Sequence, residues 1–426
     1  MKTTPSRILI MVSMYLFILS TVKIPTAFSE GEDKIALDTA IQTALRDNPE
    51  LSAIRERLKV ARARIDGIAL LGNPELETEF VGGIDGDQVF ELSKPFELGG
   101  QHGHRKRIAN ILLEKVNAEL ADASRLLTTS VKLGFYDLAL VQEKLKLTEA
   151  VIQHYERMRN IAQVQFETGD ISVTQLNLAR VQLQAALRGA AALEGELQLA
   201  QLEINNLMGA SLEAVPIAVV SLSEKMPLNQ LQSLTLDALT ARALANRGDL
   251  KSLRLNAQLT DRVLRLAKSA KIPDLNIAGI AQRSPNKRAF GVKFSFPLPV
   301  FDRNRAKIDV VKAEQGVNAI EISNKERQIT REVMGAFISL KAAQKKLKFY
   351  EGDMLDLLNE NLKLTRAAYE LGQTGILEVI LIQNEFIKIR FAHLDALAAF
   401  HKALIELEAA IGISVEMFQQ SNSIGG

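Results

Sequence analysis

Two histidines two residues apart, His102 and His104, and three alternating glutamates, Glu75, Glu77 and Glu79, are the groupings in this 426-residue sequence that could do chemistry. Imidazoles at i and i+2 can share a metal ion. No third ligand lies near them, however, and the chain has only five histidines. The pair therefore reads as a polar corner, and no metal site or cofactor is expected. The glutamates alternate with Leu76, Thr78 and Phe80. In an extended strand that spacing puts all three carboxylates on one face and the apolar side chains on the other. Ser, Asp and His occur without a Gly-x-Ser-x-Gly turn. No glycine-rich phosphate loop or dinucleotide fingerprint appears, so no catalytic residue is expected and the chain does not read as an enzyme. Cysteine is absent, which removes disulfides, thiolate sites and a cysteine-linked lipid. Lys+Arg 52 against Asp+Glu 50 leaves no basic footprint for nucleic acid.

The elements that must position these residues follow from proline placement and periodicity. Residues 96–215 and 300–426 contain no proline, which makes them the natural homes of long helices. Within the first block, Leu113, Val116, Leu120, Ala123, Leu127, Val141, Leu145, Thr148, Ile152 and Tyr155 keep a coiled-coil spacing, with a stutter around Gly134. Long helices are expected over about 104–168 and 303–370, each on the order of 100 Å at 1.5 Å per residue. Shorter helices return over about 171–208 and 375–411. Between them lie Phe166-Glu-Thr-Gly169-Asp170 and Tyr369-Glu-Leu-Gly372-Gln373, where glycine can close a helix in the left-handed region. Helices also precede each strand segment, over 37–71, broken near Pro49, and over 236–271.

The halves repeat. Pro74-Glu-Leu76 matches Pro273-Asp-Leu275, Val131, Phe135 and Leu138 match Val333, Phe337 and Leu340, and Gly169 matches Gly372, at offsets close to 200 residues. Ahead of the repeats, Lys2 and Arg7 before an apolar run, with Ala27-Phe-Ser29 as a cleavage site, predict a signal peptide over 1–29. Repeat 1 then spans 30–211, with a β-hairpin at about 74–96 and a helical hairpin at about 104–208. A linker covers 212–235. Repeat 2 spans 236–412, with a β-hairpin at about 274–297 and a helical hairpin at about 303–411. The tail is 413–426.

In the β-segments, Leu76, Phe80, Phe90 and Leu92, and later Phe290, Val292, Phe294 and Phe296, alternate with polar or small residues, among them Glu75, Glu77, Glu79 and Lys293. Two lone hairpins are marginal in water. In an exported protein, strands from several chains can close one membrane barrel, apolar face to lipid and polar face to a water-filled lumen. Four strands per chain give eight in a dimer or twelve in a trimer, and the pattern alone chooses neither.

The order helix, β-hairpin, long helix, glycine bend, helix, twice over, resembles the TolC-type outer-membrane efflux proteins across nearly the whole chain after the signal segment. Phe166-x-x-Gly169, followed by Leu176, Ala179 and Leu183, is similar to that family's repeat motif, with Tyr369-x-x-Gly372 as a second copy. Asn73-Pro74-Glu75-Leu76 and Phe96-Glu97-Leu98-Gly99-Gly100 before Arg105 resemble the CzcC-like branch, which serves heavy-metal efflux pumps. Gln101 stands where that branch usually has Lys.

The resemblance implies a mainly α fold with a small β part. It implies a homotrimer whose 12-stranded β-barrel lies in the outer membrane of a Gram-negative bacterium, continued by a periplasmic helical coiled-coil barrel. The expected partners are membrane lipid, a periplasmic adaptor (a membrane fusion protein) and an inner-membrane pump of the resistance-nodulation-division type. The function implied is the passive exit duct of a tripartite pump for heavy-metal cations. The alternatives are a duct for drugs or type I protein secretion, or a periplasmic coiled-coil adaptor. Phe166, Gly169, Asp170, Tyr369, Gly372 and Gln373 are then expected at the docking tips, Glu75, Glu77, Glu79 and Lys293 in the lumen, and the alternating apolar set against lipid.

Overall fold

The structure, a computed structural model, describes residues 34–69, 72–81, 87–210, 217–218, 222, 235–284, 287–350 and 354–413. The expected signal peptide, most of the linker, the tail after residue 413 and the hairpin turns at 82–86 and 285–286 lie outside them.

The described elements run β1 (Lys34–Ile35), α1 (Leu37–Asp47), α2 (Pro49–Ala69), β2 (Glu75–Val81), β3 (Asp87–Phe96), α3 (Gln101–Glu167) and α4 (Val173–Met208). They continue with β4 (Ile217–Ala218), α5 (Leu236–Asn246), α6 (Gly248–Ser269), β5 (Leu275–Ser284), β6 (Lys287–Ser295), α7 (Arg305–Lys348), α8 (Met354–Glu370) and α9 (Ile376–Ile411). The protein is mainly helical with a small sheet. No described helix is long and apolar enough to cross a membrane.

The two hairpins are not separate. β3 pairs antiparallel with β5, from Gln88 opposite Arg283 to Phe96 opposite Leu275, so all four strands form one sheet in the order β2-β3-β5-β6. This joins elements nearly two hundred residues apart in sequence. A second, two-residue parallel pair ties β1 to β4.

Around the helices, apolar side chains fall into similar clusters. Ala40 and Ala44 of α1 meet Val131, Phe135 and Leu138 of α3 and Ile204 and Met208 of α4. Leu239 and Ala243 of α5 meet Val333 and Leu340 of α7 and Phe400, Leu404 and Leu407 of α9. The heptad-like spacing produces this packing, because residues three and four apart share one helix face.

Two helical boundaries correct the sequence expectation. The segment expected to be one helix over 236–271 breaks at Arg247, whose extended backbone (φ −65, ψ 126) ends α5 and starts α6. The cause is tertiary. Arg247 donates from Nη1 to the carbonyl of Ala410 at 3.5 Å, near the end of α9. Asn48, between α1 and α2, likewise donates from Nδ2 to the carbonyl of Leu207 at 3.0 Å, near the end of α4. Each corner residue thus satisfies a carbonyl left orphaned at a helix C-terminus.

The second break is in the helix expected over 303–370. α7 stops at Lys348, Phe349 and Tyr350 form a turn, and α8 begins at Met354. Lys345, Lys346 and Lys348 crowd the last turn of α7, where the helix dipole favours cations.

Candidate channel wall and hairpin tips

Strand register assigns every side chain in the sheet to a face, because residues directly opposite on paired strands point the same way. Leu76 pairs with Leu92, Thr78 with Phe90 and Phe80 with Gln88. Leu92 pairs on with Gly279 and Phe90 with Ala281, and these with Val292 and Phe290. Phe294 lies opposite Ile277, which pairs with Lys94. One face therefore carries Leu76, Phe80, Phe90, Leu92, Phe290, Val292 and Phe294, all exposed, with Phe290 84% accessible. Phe80 and Phe90 meet edge to face, centroids 6.1 Å apart. Phe296 lies one residue beyond β6 and is also exposed.

The opposite face carries Glu75, Glu77 and Glu79, paired with Ser93, Glu91 and Val89, and Lys293, paired with Ala278. Glu91, which is not among the residues expected in the lumen, joins this face because it alternates with Phe90 and Leu92. It stands opposite Glu77, and Lys293 Nζ reaches its two carboxylate oxygens at 3.0 and 3.1 Å across β5. This bridge needs the β3–β5 pairing, which no local sequence signal announces.

At the strand-to-helix corner, Phe96 ends β3 and Gly100 takes the left-handed backbone (φ 72) before α3. A Cβ on Gly99 would come within 2.5 Å of the Ser269 carbonyl, so this corner packs too closely against the end of α6 for a larger residue. Glu97 pairs with Arg105. Leu98 is exposed, as is His102, while His104 is half-buried and its Nδ1 has no hydrogen-bond partner among the described residues. Among those residues no group of three or more His, Asp or Glu side chains could hold a metal ion.

The two glycine bends lie at the same end of the helical body. Gly169 (φ 84) donates to Phe166 O at 3.1 Å, and Asp170 donates to Gln165 O at 2.7 Å. Gly372 (φ 71) donates to Tyr369 O at 2.9 Å, and Gln373 donates to Ala368 O at 2.8 Å. Both are Schellman endings, closed by a left-handed residue. Ser172 and Gln175 then form a capping box that starts α4. The hairpins are clamped together just behind the bends. Tyr155, Met158 and Ala162 of α3 and Leu176 and Ala179 of α4 pack with Tyr369 of α8 and Ile376, Val379 and Ile380 of α9. Tyr155 Oη donates to Asn384 Oδ1 at 2.9 Å, and Tyr369 Oη to Gln165 Oε1 at 3.4 Å. Phe166, Val173, Leu371 and Leu377 stay exposed around the bends.

Arg366 sits among these helices against His154 Nε2 at 2.9 Å and against the Gln383 side chain. Burial, then the charges of Arg366 and Arg157, push the His154 pKa down to about 4. The ring is therefore neutral at pH 7. An unfolded chain takes up this proton near the ordinary value of about 6.5, so His154 subtracts stability as pH falls from there to about 4 and no more below. Melting curves of the purified protein between pH 7 and pH 4 are expected to show a shallower acid-side decline for His154→Gln than for the wild type. Identical slopes would remove His154 from the acid response.

The relative CzcC of Cupriavidus metallidurans, a cobalt-zinc-cadmium resistance protein, is 23% identical over 401 residues, spanning 92% of this chain and 93% of that one. CusC of Escherichia coli O157:H7, a cation efflux system protein, is 23% identical over 398 residues, spanning 88% and 85%. A crystal structure of CusC superposes with a TM-score of 0.71 at 20% identity, over 89% of this chain and 92% of that one. The sequence model of the family described as outer membrane efflux protein matches residues 40–210 and 239–413, each segment holding one strand pair and one glycine bend. That match covers most of the chain, and the protein belongs to the outer membrane efflux protein family.

Proposed function

We propose that three copies of this chain assemble into the outer-membrane exit duct of a tripartite efflux pump, a conduit for heavy-metal cations and not an enzyme. The single observation that carries this reading is the division of one four-stranded sheet into an exposed apolar face and an acidic face. β2 and β6 have no further partner strand among the described residues, so each edge is available to a neighbouring copy. Backbone groups in lipid need such closure. Three copies give a 12-stranded barrel with the phenylalanines against lipid and Glu75, Glu77, Glu79 and the Glu91–Lys293 pair toward water. Threefold repetition stacks the carboxylates into rings that favour cations in transit.

The helical hairpins extend this wall into the periplasm. The tips, Phe166, Gly169, Asp170, Tyr369, Gly372 and Gln373, meet the adaptor and, through it, an inner-membrane pump of the resistance-nodulation-division type. The domain limits follow the two repeats, 30–211 and 236–412, behind an export signal over 1–29. The choice of cargo draws on the likeness to CzcC, a cobalt-zinc-cadmium resistance protein, and CusC, a cation efflux system protein, and on the acidic face.

The test is deletion of the gene in its host, with plasmid complementation, against zinc, cobalt, cadmium, copper and silver and a panel of drugs. Increased sensitivity to one or more metals, restored by the gene, is the expected result. Unchanged metal tolerance with increased drug sensitivity would overturn the metal assignment in favour of a drug duct.

A further inference from the structure

The lipid-facing band ends in an abrupt change of chemistry, and it does so twice. Phe96 and Leu98 are followed by Arg105 and Arg107. At an offset of 200, Phe296 and Leu298 are followed by Arg305 and Lys307. All four apolar side chains are exposed, and beyond the second pair Val300 is exposed and Phe301 fully so. Within two helical turns the surface becomes cationic, with Lys106, Arg107, Arg305 and Lys307 exposed.

Hydrogen bonds bring these corners to one level. Gln101 Nε2, at the start of α3, donates to Ile272 O at 3.3 Å, just past α6. Asn304 Nδ2, before α7, donates to Ala267 O at 2.8 Å, in the last turn of α6. Lys268 and Lys271, both exposed, join the same belt.

The acids at this level are already engaged. Glu97 pairs with Arg105, Asp274 accepts from Gln101 Nε2 at 3.1 Å, Asp302 accepts the Asn304 backbone N–H at 2.8 Å, and Asp309 lies 3.7 Å from Arg305 and 3.4 Å from Lys312. Neither α3 nor α7 has an acidic residue in its first turn. Lys106, Arg107 and Lys307 make no ion pair with another described residue. An apolar band that gives way to unpaired cations on long side chains matches the step from hydrocarbon to phosphate in a lipid leaflet.

We infer that these corners bind the headgroups of anionic phospholipids in the leaflet next to the helical tube. The inference rests on the reading that the strands span the membrane. Charge complementarity selects an anionic headgroup, because Lys106, Arg107 and Lys307 have no acidic partner among the described residues.

The experiment reconstitutes the full-length protein into phosphatidylcholine vesicles with and without phosphatidylglycerol, then counts retained lipids by native mass spectrometry. The wild type is expected to insert into both and to retain phosphatidylglycerol over phosphatidylcholine by about fivefold or more. The variant Lys106→Gln/Arg107→Gln/Arg305→Gln/Lys307→Gln is expected to insert equally and lose that preference, and the corresponding Lys↔Arg exchanges to keep it. Insertion of the wild type without a preference, or a preference that survives in the glutamine variant, would overturn the inference alone. Loss of the preference to excess inorganic phosphate would reassign the belt to soluble anions and overturn it too. Failure to insert into either vesicle would overturn the membrane reading and this inference with it.

Discussion

Valine at both bends, Gly169→Val/Gly372→Val, is expected to reduce metal resistance to that of a deletion strain while trimers still reach the outer membrane. Both glycines hold positive φ, 84 and 71, where a β-branched residue is a steric outlier. A Cβ at either position would meet nothing within 4 Å. The cost therefore falls on the backbone, on the order of 1–2 kcal/mol at each bend, and not on the packed core behind it. The Schellman bonds open and the bend changes course, carrying the exposed Leu371 and Val173 with it. The clamp of Tyr155, Leu176, Tyr369 and Ile380 is untouched, so the protein folds and inserts. Resistance assays, outer-membrane fractionation and crosslinking to the adaptor check this together. Variants that export normally and still crosslink would show that docking lies elsewhere.

Arg247→Met is expected to produce the largest loss of stability. The guanidinium is 6% exposed and bonds Asp249 at 2.7 and 3.0 Å, the Glu332 carboxylate and the Ala410 carbonyl. Burial alone would raise the Asp249 pKa, but Arg247 outweighs it and holds the carboxyl below the ordinary range. Methionine matches the length of the chain and leaves both carboxylates without their main counter-charge. Breaking a buried pair from one side costs about 3–5 kcal/mol, and the loss here falls at the lower end because Lys325 stays 3.5 Å from Asp249 and Glu332 is partly exposed. The Asp249 contribution is present above the ordinary carboxylate range and is lost as pH falls through the lowered value. Thermal and denaturant unfolding should therefore show a large drop for the variant at pH 7 and a smaller gap from wild type at strongly acid pH. A variant as stable as wild type at pH 7 would contradict this role.

The glycine bends and strand alternation were readable because each rests on a local rule: glycine tolerates positive φ, and an extended chain alternates faces. Gly169, Gly372, Leu76 to Phe80 and Phe290 to Phe294 carry those rules in adjacent residues. The break at Arg247 was not readable. Asp-Asn-Pro at 47–49 announces its corner with a proline, whereas Asn-Arg-Gly at 246–248 has none, and its conformation depends on Ala410 and Glu332, far away in the chain. For the same reason the β3–β5 pairing and the Glu91–Lys293 bridge were invisible. Each joins the two halves of the sequence, and periodicity within a strand says nothing about which strand lies beside it.

The most direct test of the wall uses single cysteines in this cysteine-free chain, at Glu77, Thr78, Glu79 and Phe80, with the protein in intact outer membrane. If acidic residues line water and apolar residues face lipid, Glu77→Cys and Glu79→Cys label with a membrane-impermeant thiol reagent. Thr78→Cys and Phe80→Cys resist that reagent and react only with a lipid-soluble probe. The opposite parity, or equal labelling of all four by the impermeant reagent, would contradict the strand orientation and the carboxylate-lined, cation-favouring channel built on it.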